Sequence, residues 1–309
     1  MADIVVLGSL NMDLVVKAPR APEAGETIRG HEFRMVPGGK GANQAAAAAR
    51  LGGQVAMVGR VGDDAFGPVL IENMARQGVD TGHIRMDQEA SSGVAVITVD
   101  DTGENRIVIS AGANGRVSKS DVDRVEALFH NARFLILQFE IQLEVVDYAI
   151  DKAARYPVEV ILNPAPATPA SPEFLGRVDW LVPNETETKI LTGLDVSDLS
   201  SAERAAKEFL SHGVRQVVVT LGERGALLVT QGQVTHVPAR KVKAVDTTAA
   251  GDAFIGGLAV ALVQGFSRLE AVRYATVAGT LAVTKFGAQT SLPSAEEVDQ
   301  FYQRKAEIG

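Results

Sequence analysis

Short apolar runs, each closed by glycine or a polar cluster, alternate along this chain with longer stretches whose apolar positions recur every three to four residues. Ile4-Val5-Val6-Leu7-Gly8 reads as a buried strand, and so do Val55–Val61, Phe134–Leu137, Val158–Leu162, Asp179–Val182 and Gln216–Thr220. Helical spacing predicts helices between them: the alanine-rich stretch Gln44–Leu51, another from Asp64 to about Gln77, and others at about 120–130, 143–155, 186–192 and 200–212. Three more are expected at 250–264, 268–285 and 295–307. Serine three residues ahead of glutamate predicts capping boxes at Ser200–Glu203, Ser267–Glu270 and Ser294–Glu297. Strands that alternate with helices predict an α/β fold: a mostly parallel sheet with right-handed crossovers and helices on both faces.

Two stretches break this rhythm. Residues 14–37 are interrupted by Pro19, Pro22, Gly25, Gly30 and Pro37 and read as irregular, with short alternating pieces such as Thr27-Ile28-Arg29. Gly93–Val99 and Arg106–Ile109 flank the polar run 100–105, which is a hairpin signature. Together 14–37 and 91–110 predict a small sheet separate from the main one. A second hairpin is expected at Ala226–Thr230 and Val234–Val237.

Composition narrows the picture. Of the 309 residues 46% are apolar but only 5% aromatic, and this abundance of small side chains suits closely packed parallel strands. Net charge is −8 with no basic patch, which argues against a nucleic-acid partner. The absence of cysteine excludes disulfides, thiolate metal sites and cysteine nucleophiles. The N-terminus lacks a basic n-region, and no run approaches the roughly 18 apolar residues of a membrane span, so no membrane partner and a cytoplasmic location are expected.

Candidate chemistry gathers where strands end. Ligands of open parallel sheets bind at the carboxyl ends of the strands. Asn11 and Asp13, Glu140, Asn163, Asn184–Glu187 and Thr220-Leu221-Gly222 all follow apolar strands and are expected to converge on one edge. Residues 245–257 stand out. The polar turn Asp246-Thr247-Thr248 leads through Ala249, Ala250 and Gly251 to Asp252 and an apolar helix. A helix N-terminus presents free N–H groups, and small side chains let an anion reach them. Asp252 is placed to take a proton from a hydroxyl; the plain alternative is a capping acid. At a helix N-terminus it is expected to stay charged and be a weak base. Neither a Walker-type phosphate loop nor a dinucleotide G-x-G-x-x-G is present, which disfavours a Rossmann dehydrogenase.

Gly38-Gly39-Lys40-Gly41-Ala42-Asn43-Gln44 and Asp246–Phe254 resemble the two signatures of the ribokinase-like carbohydrate kinase family. The intermediate markers Asn11-Met12-Asp13, Asn163–Pro166, Pro183–Glu187 and Thr220–Gly225 match too, so the resemblance covers about 4–295. It implies a three-layer α/β/α sandwich over the single domain 1–309, with a small β-sheet lid formed by about 14–37 and 91–110. It further implies phosphorylation of D-ribose at O5 by ATP, with 2-deoxyribose, fructose or a nucleoside as alternative acceptors. A non-catalytic sugar-binding regulator is the reading from a different class, and retention of Asp252 argues against it.

The same resemblance implies roles. Asp252 would be the general base, and the N–H groups of Ala249, Ala250 and Gly251 would hold the phosphoryl oxygens. The sugar would be bound by Asn11, Met12, Asp13, Gly39, Lys40, Gly41, Ala42, Asn43, Glu140 and Asp252. For three of these a plain alternative stands: a solvated loop lysine at Lys40, an exposed acid at Glu140, a turn aspartate at Asp13. The nucleotide would meet Asn184, Thr220, Leu221, Gly222, Glu223, Arg224, Gly225, Gly251, Asp252 and Thr276. Asn184 and Glu187 would organise Mg²⁺ through water, or simply cap a helix. Asp246, Thr248, Ala282, Lys285, Gly287 and Ser291 would bind K⁺, mostly through backbone carbonyls. An exposed small sheet tends to pair with a copy of itself, so a homodimer through the lid is expected.

Overall fold

The computed structural model describes residues 2–303. Nine strands form the main sheet: β1 (Ile4–Leu7), β4 (Val55–Gly62), β5 (Asp80–Asp87), β8 (Phe134–Leu137), β9 (Glu159–Leu162), β10 (Trp180–Leu181), β11 (Gln216–Thr220), β12 (Ala226–Thr230) and β13 (Gln233–Val237). Their order across the sheet is β13-β12-β11-β10-β9-β8-β1-β4-β5. All neighbours from β11 to β5 run parallel, and the hairpin β12–β13 adds an antiparallel edge.

Helices cover both faces. α1 (Lys40–Arg50), α2 (Gly67–Arg76), α8 (Ala250–Val263), α9 (Arg268–Ala282) and α10 (Ala295–Gln303) pack on one side with Ile4, Val6, Met57 and Ile136. α3 (Lys119–Arg124), α4 (Leu143–Ala153) and α7 (Leu199–Ser211) pack on the other with Val5, Leu7, Leu135 and Leu137. Successive residues of one strand thus enter opposite cores, which is why β1 and β8 carry no polar position. Two short helices, α5 (Pro172–Leu175) and α6 (Glu185–Thr192), sit beside strand ends.

A second sheet of four strands has the order β3-β2-β6-β7, with β2 (Asn11–Lys17), β3 (Glu32–Gly38), β6 (Gly93–Val99) and β7 (Asn105–Ser110). The expectation that 14–37 is irregular is corrected here: only the connection between β2 and β3 is, and the prolines and glycines fall mostly there. β5 gave no sequence signal, because an edge strand of largely polar, partly exposed residues lacks an apolar run. The helix expected at 120–130 divides into α3 and a 3₁₀ turn at Glu126–His130. The capping box foreseen at Ser200–Glu203 is displaced: Asp198 is the N-cap of α7, with Ser201 as its reciprocal partner, because the helix begins earlier. The boxes at Ser267–Glu270 and Ser294–Glu297 form as expected. α9 stops at Ala282, so 283–285 lead into a loop instead of extending the helix. Of the helix expected at 295–307, residues 304–307 lie outside the described residues. Among the described residues, no helix is long and apolar enough to cross a membrane.

Candidate active site

The site is built where α1 meets α8. Both helices are lined with small residues at their contact, Ala45–Ala48 on one and Gly256 on the other. This lets the axes approach until the first turns touch. Asn43 Nδ2 donates to Asp252 Oδ2 at 3.0 Å, and Gln44 Nε2 donates to Asp252 Oδ1 at 3.0 Å. The capping alternative for Asp252 fails, because its side chain does not cap α8; both oxygens are engaged across the helix interface. Asp252 is 4% exposed. Burial pushes its carboxyl up, opposed by Lys40 and by the amides of Asn43 and Gln44, with Glu140 adding to the rise. The expectation of a weak base is therefore corrected: the helix N-terminus does favour the anion, but removal from water outweighs it.

In front of Asp252 no side chain covers the turn, though the Ala250 N–H donates to the Thr247 carbonyl at 3.3 Å. Ala249 is the N-cap of α8 and has no side chain able to cap. A Cβ added to Gly251 would meet no protein atom within 4 Å, and its φ is not in the left-handed region. Neither packing nor backbone conformation requires glycine there, so the space before that N–H is open to a ligand.

The opposite wall comes from the start of α1 and the root of the second sheet. Gly39 takes φ 92° as N-cap of α1, and a Cβ there would lie 2.8 Å from the Asn11 nitrogen. The loop thereby folds tightly against β2. Glu140 is no free acid: it accepts from the Lys40 N–H at 2.9 Å and from Ser9 Oγ at 2.5 Å, bracing the N-terminus of α1. Asp13 is no turn residue either; it lies within β2, pairing with Val36 and Ala95. Its carboxyl is pushed up to about 7 by burial, and by the charges of Glu140 and Asp252. Lys40 is half-buried rather than solvated. Burial lowers its ammonium's pKa, but Asp252, Glu140 and Glu187 more than offset that and raise it. One lysine thus feels three carboxylates, from α8, from α6 and from the loop after β8. Met12 is packed in the core, and Ala42 is buried in α1. Asn43 Oδ1 is a buried acceptor with no partner, beside Asp252, which is where a sugar hydroxyl would donate.

Asn184, three residues beyond β10, and Thr220, the last residue of β11, form an isolated parallel bridge. Asn184 and Glu187 cap α6 reciprocally: the Asn184 N–H donates to Glu187 Oε2 at 2.8 Å and the Glu187 N–H to Asn184 Oδ1 at 2.8 Å. The capping alternative holds, and Glu187 still lies within the field of Lys40 and Asp252, its carboxyl raised by burial. Among the described residues no three histidine, cysteine or acidic side chains gather as a ready metal site. These residues suit a hard cation that keeps its waters and takes its direct ligands from phosphate. Leu221 is buried in the core, so only its backbone is available. Arg224 is tied to Glu185 and to the Ser197 carbonyl, and Glu223 is exposed. Gly222 and Gly225 form the turn between β11 and β12. Thr276 is buried in α9 and donates to the Val272 carbonyl at 2.7 Å, as hydroxyls within helices commonly do.

Asp246 joins two loops. Burial works to raise its carboxyl, but bonds accepted from the Thr248 hydroxyl, from the Thr248 N–H at 3.0 Å and from the Gly287 N–H at 3.0 Å hold it low. Lys285 pairs with Glu297, leaving its backbone for the loop, and Ser291 Oγ is bonded to the Ala288 carbonyl. Val245, in the loop before Asp246, also donates to the Val283 carbonyl just beyond Ala282. The structure thus brings Asp246, Thr248 and Gly287 together at one joint of two loops, where a hard cation would find a carboxylate oxygen.

Two residues at the site carried no readable sequence signal. Ser9 donates to Glu140, 131 positions away, and accepts from the Gly41 N–H at its hydroxyl and from the Ala42 N–H at its carbonyl. Asn114, buried after β7, donates to Asn11 Oδ1 at 2.7 Å and exchanges bonds with the Leu10 backbone.

The pfkB family carbohydrate kinase model matches residues 1–295. The chain belongs to this family. Ribokinase of Haemophilus influenzae is 41% identical over 97% of this chain and 98% of its own length. Deoxyribokinase of Salmonella typhimurium is also 41% identical, over 97% of this chain and 98% of its own. A solved structure of Arabidopsis thaliana ribokinase complexed with ribose and ATP superposes with TM-score 0.90 at 35% identity, covering 97% of this chain and 98% of that one. As a pfkB carbohydrate kinase, the chain shares its overall fold with that solved structure.

Proposed function

We propose that this carbohydrate kinase transfers the γ-phosphoryl group of ATP to O5 of D-ribose, giving ribose 5-phosphate and ADP. One observation carries the reading: a buried, proton-seeking carboxylate, Asp252, stands beside the open N–H of Gly251 at one helix tip. As O5 bonds to the γ-phosphorus and the bond to the β-phosphate oxygen breaks, the O5 proton passes to Asp252. The N–H groups of Ala249, Ala250 and Gly251 and the ammonium of Lys40 stabilise the charge on the phosphoryl oxygens. Asn11, Asp13, Asn43 and Glu140 hold the sugar, with Gly39 and Gly41 keeping the loop close. Asn184 and the Thr220–Gly225 turn bind nucleotide; Thr276 contributes bulk, not a free donor.

Mg²⁺ bound through phosphates and through water on Asn184 and Glu187 would neutralise phosphate charge. K⁺ in the Asp246, Thr248, Ala282, Lys285, Gly287 and Ser291 loop would order the turn that precedes Ala249. The whole chain acts as one kinase domain, and the four-stranded sheet is its lid, excluding water from the transfer. Met35, Leu14, Val96 and Val108 stand opposite one another across all four strands, and this apolar row supports a homodimer through the lid. The need for ATP favours the cytoplasm.

The deoxyribokinase relative favours 2-deoxyribose as a second acceptor. Asp13 decides between them: a carboxylate accepts from both hydroxyls of a vicinal pair, and 2-deoxyribose offers one fewer there. The test is ADP release over ribose, 2-deoxyribose, fructose and a nucleoside, with potassium or tetramethylammonium. Ribose is expected to be used best and potassium to accelerate it. Asp252→Ala is expected to bind ribose yet release no ADP; survival of ribose-dependent release in that variant overturns the assignment.

A further inference from the structure

Behind Asp252 the buried side chains form a chain of amides with a single direction. Asn163, at the end of β9, donates through Nδ2 to the Val182 carbonyl at 3.1 Å. A carbonyl only accepts, so this bond turns Asn163 Oδ1 toward Gln44. Gln44 Nε2 then donates to Asn163 Oδ1 at 3.1 Å and to Asp252 Oδ1 at 3.0 Å, which uses both its hydrogens. Gln44 Oε1 is left facing Gln138, whose Nε2 donates to it at 2.7 Å. Gln44 and Gln138 are both fully buried. Gln138 Oε1, at the far end, has no partner at all. It fills the space beside Gly8, where a Cβ would come within 2.0 Å of it.

That orphaned acceptor is informative. Turning Gln138 over would aim its oxygen at Gln44 Oε1, acceptor against acceptor. The protein leaves a buried oxygen unsatisfied and keeps the polarity of the chain. Turning Gln44 over would set its oxygen against Asn163 Oδ1 and Asp252 Oδ1. Each amide is thus locked by the next, from the Val182 carbonyl to Gln138.

We propose that Gln44, its amide held in one orientation by Gln138 and Asn163, is the positioning residue that sets the basicity and aim of Asp252. This rests on Asp252 being the base. Burial drives Asp252 toward its protonated form, and the amide of Gln44 holds the anion ready in the one orientation that leaves its outer lone pairs to the sugar hydroxyl. Gln44 touches neither sugar nor nucleotide in this role; it acts through the carboxylate.

The experiment is the pH dependence of kcat in Gln44→Met, Gln44→Glu and Gln138→Met, with KM for ribose and ATP measured alongside. Gln44→Met removes a donor, and Gln44→Glu adds a charge as well. The acid limb is expected to move to higher pH in the order wild type, Gln44→Met, Gln44→Glu. At neutral pH kcat is expected to fall roughly tenfold to a hundredfold in Gln44→Met with both KM values nearly unchanged. Gln138→Met is expected to shift the limb in the same direction by less, and the double variant Gln44→Met/Gln138→Met to be no slower than Gln44→Met alone. Unchanged acid limbs, or losses that multiply in the double variant, overturn the proposal. If Gln44→Met does not fold, Gln138→Met decides alone: an acid limb moved to higher pH with both KM values unchanged supports the proposal, and an unmoved limb overturns it. Full activity in Asp252→Asn would instead show that the base itself is misassigned.

Discussion

A Cβ placed on Gly256 would lie 2.6 Å from the Cβ of Ala47 and 2.7 Å from the Ala48 nitrogen, so α8 and α1 meet backbone to backbone. Gly256 is one helical turn beyond Asp252, and Ala47 one turn beyond Asn43. The close seam is what brings the amides of Asn43 and Gln44 onto the carboxylate. Gly256→Ala must therefore spread the helices, although alanine is the better helix former. A stability loss of about 1–3 kcal/mol is expected by thermal or urea unfolding. A fall in kcat should accompany it, larger than the change in KM for ribose.

Gly251 is the converse case. The fold makes no demand for glycine there, and alanine favours a helix over glycine by about 1 kcal/mol. Gly251→Ala is expected to melt at the same temperature as the wild type or higher. Its Cβ would enter the space in front of the first N–H groups of α8, so kcat/KM for ATP should fall by roughly a hundredfold. A variant that is stable and fully active would remove the anion site from this turn.

The carboxyl of Asp13, pushed up to about 7, makes two effects of pH run in opposite directions. Only the charged form accepts from two hydroxyls, so KM for ribose is expected to rise as pH falls below about 7. The folded state binds this proton more tightly than the unfolded chain, whose carboxyl titrates at 3.8. This residue's contribution to stability is therefore lost as pH rises from 3.8 to about 7 and is constant above that. Asp13→Asn is expected to melt higher than the wild type at pH 8 while losing ribose affinity, and calorimetry on both proteins measures each effect.

Val108 is 72% exposed on β7, in register with Val96, Leu14 and Met35 across the four-stranded sheet. Val108→Glu places a charge at the β7 end of that row. Light scattering at micromolar protein is expected to give the mass of two chains for the wild type and of one for the variant. A monomeric wild type would remove the dimer.

Some of this was legible from residue order. The apolar strands β1, β8 and β11, the helices between them and the polar residues that follow them obey local rules, since period and run length report burial directly. The second sheet was half legible: the hairpin β6–β7 carries its turn, whereas β2 and β3 hide behind a long connection rich in proline and glycine. β5 escaped because edge strands need not be apolar. The cap of α7 was misplaced by a few residues, which is the ordinary uncertainty of a helix start.

The sequence by itself determined the layered α/β architecture and the chemical groups at Asp13, Lys40, Asn43, Asp252 and the glycine-rich turns, because their local pattern and motif spacing do not depend on distant contacts. Only the tertiary structure decided what those groups do. Burial reversed the expected basicity of Asp252, raised Asp13 toward neutrality, committed the Thr276 hydroxyl to its own helix and joined Gln44 to Gln138 across 94 positions. Solvent exclusion and hydrogen-bond direction arise from neighbours brought together by folding, and no window along the chain contains them.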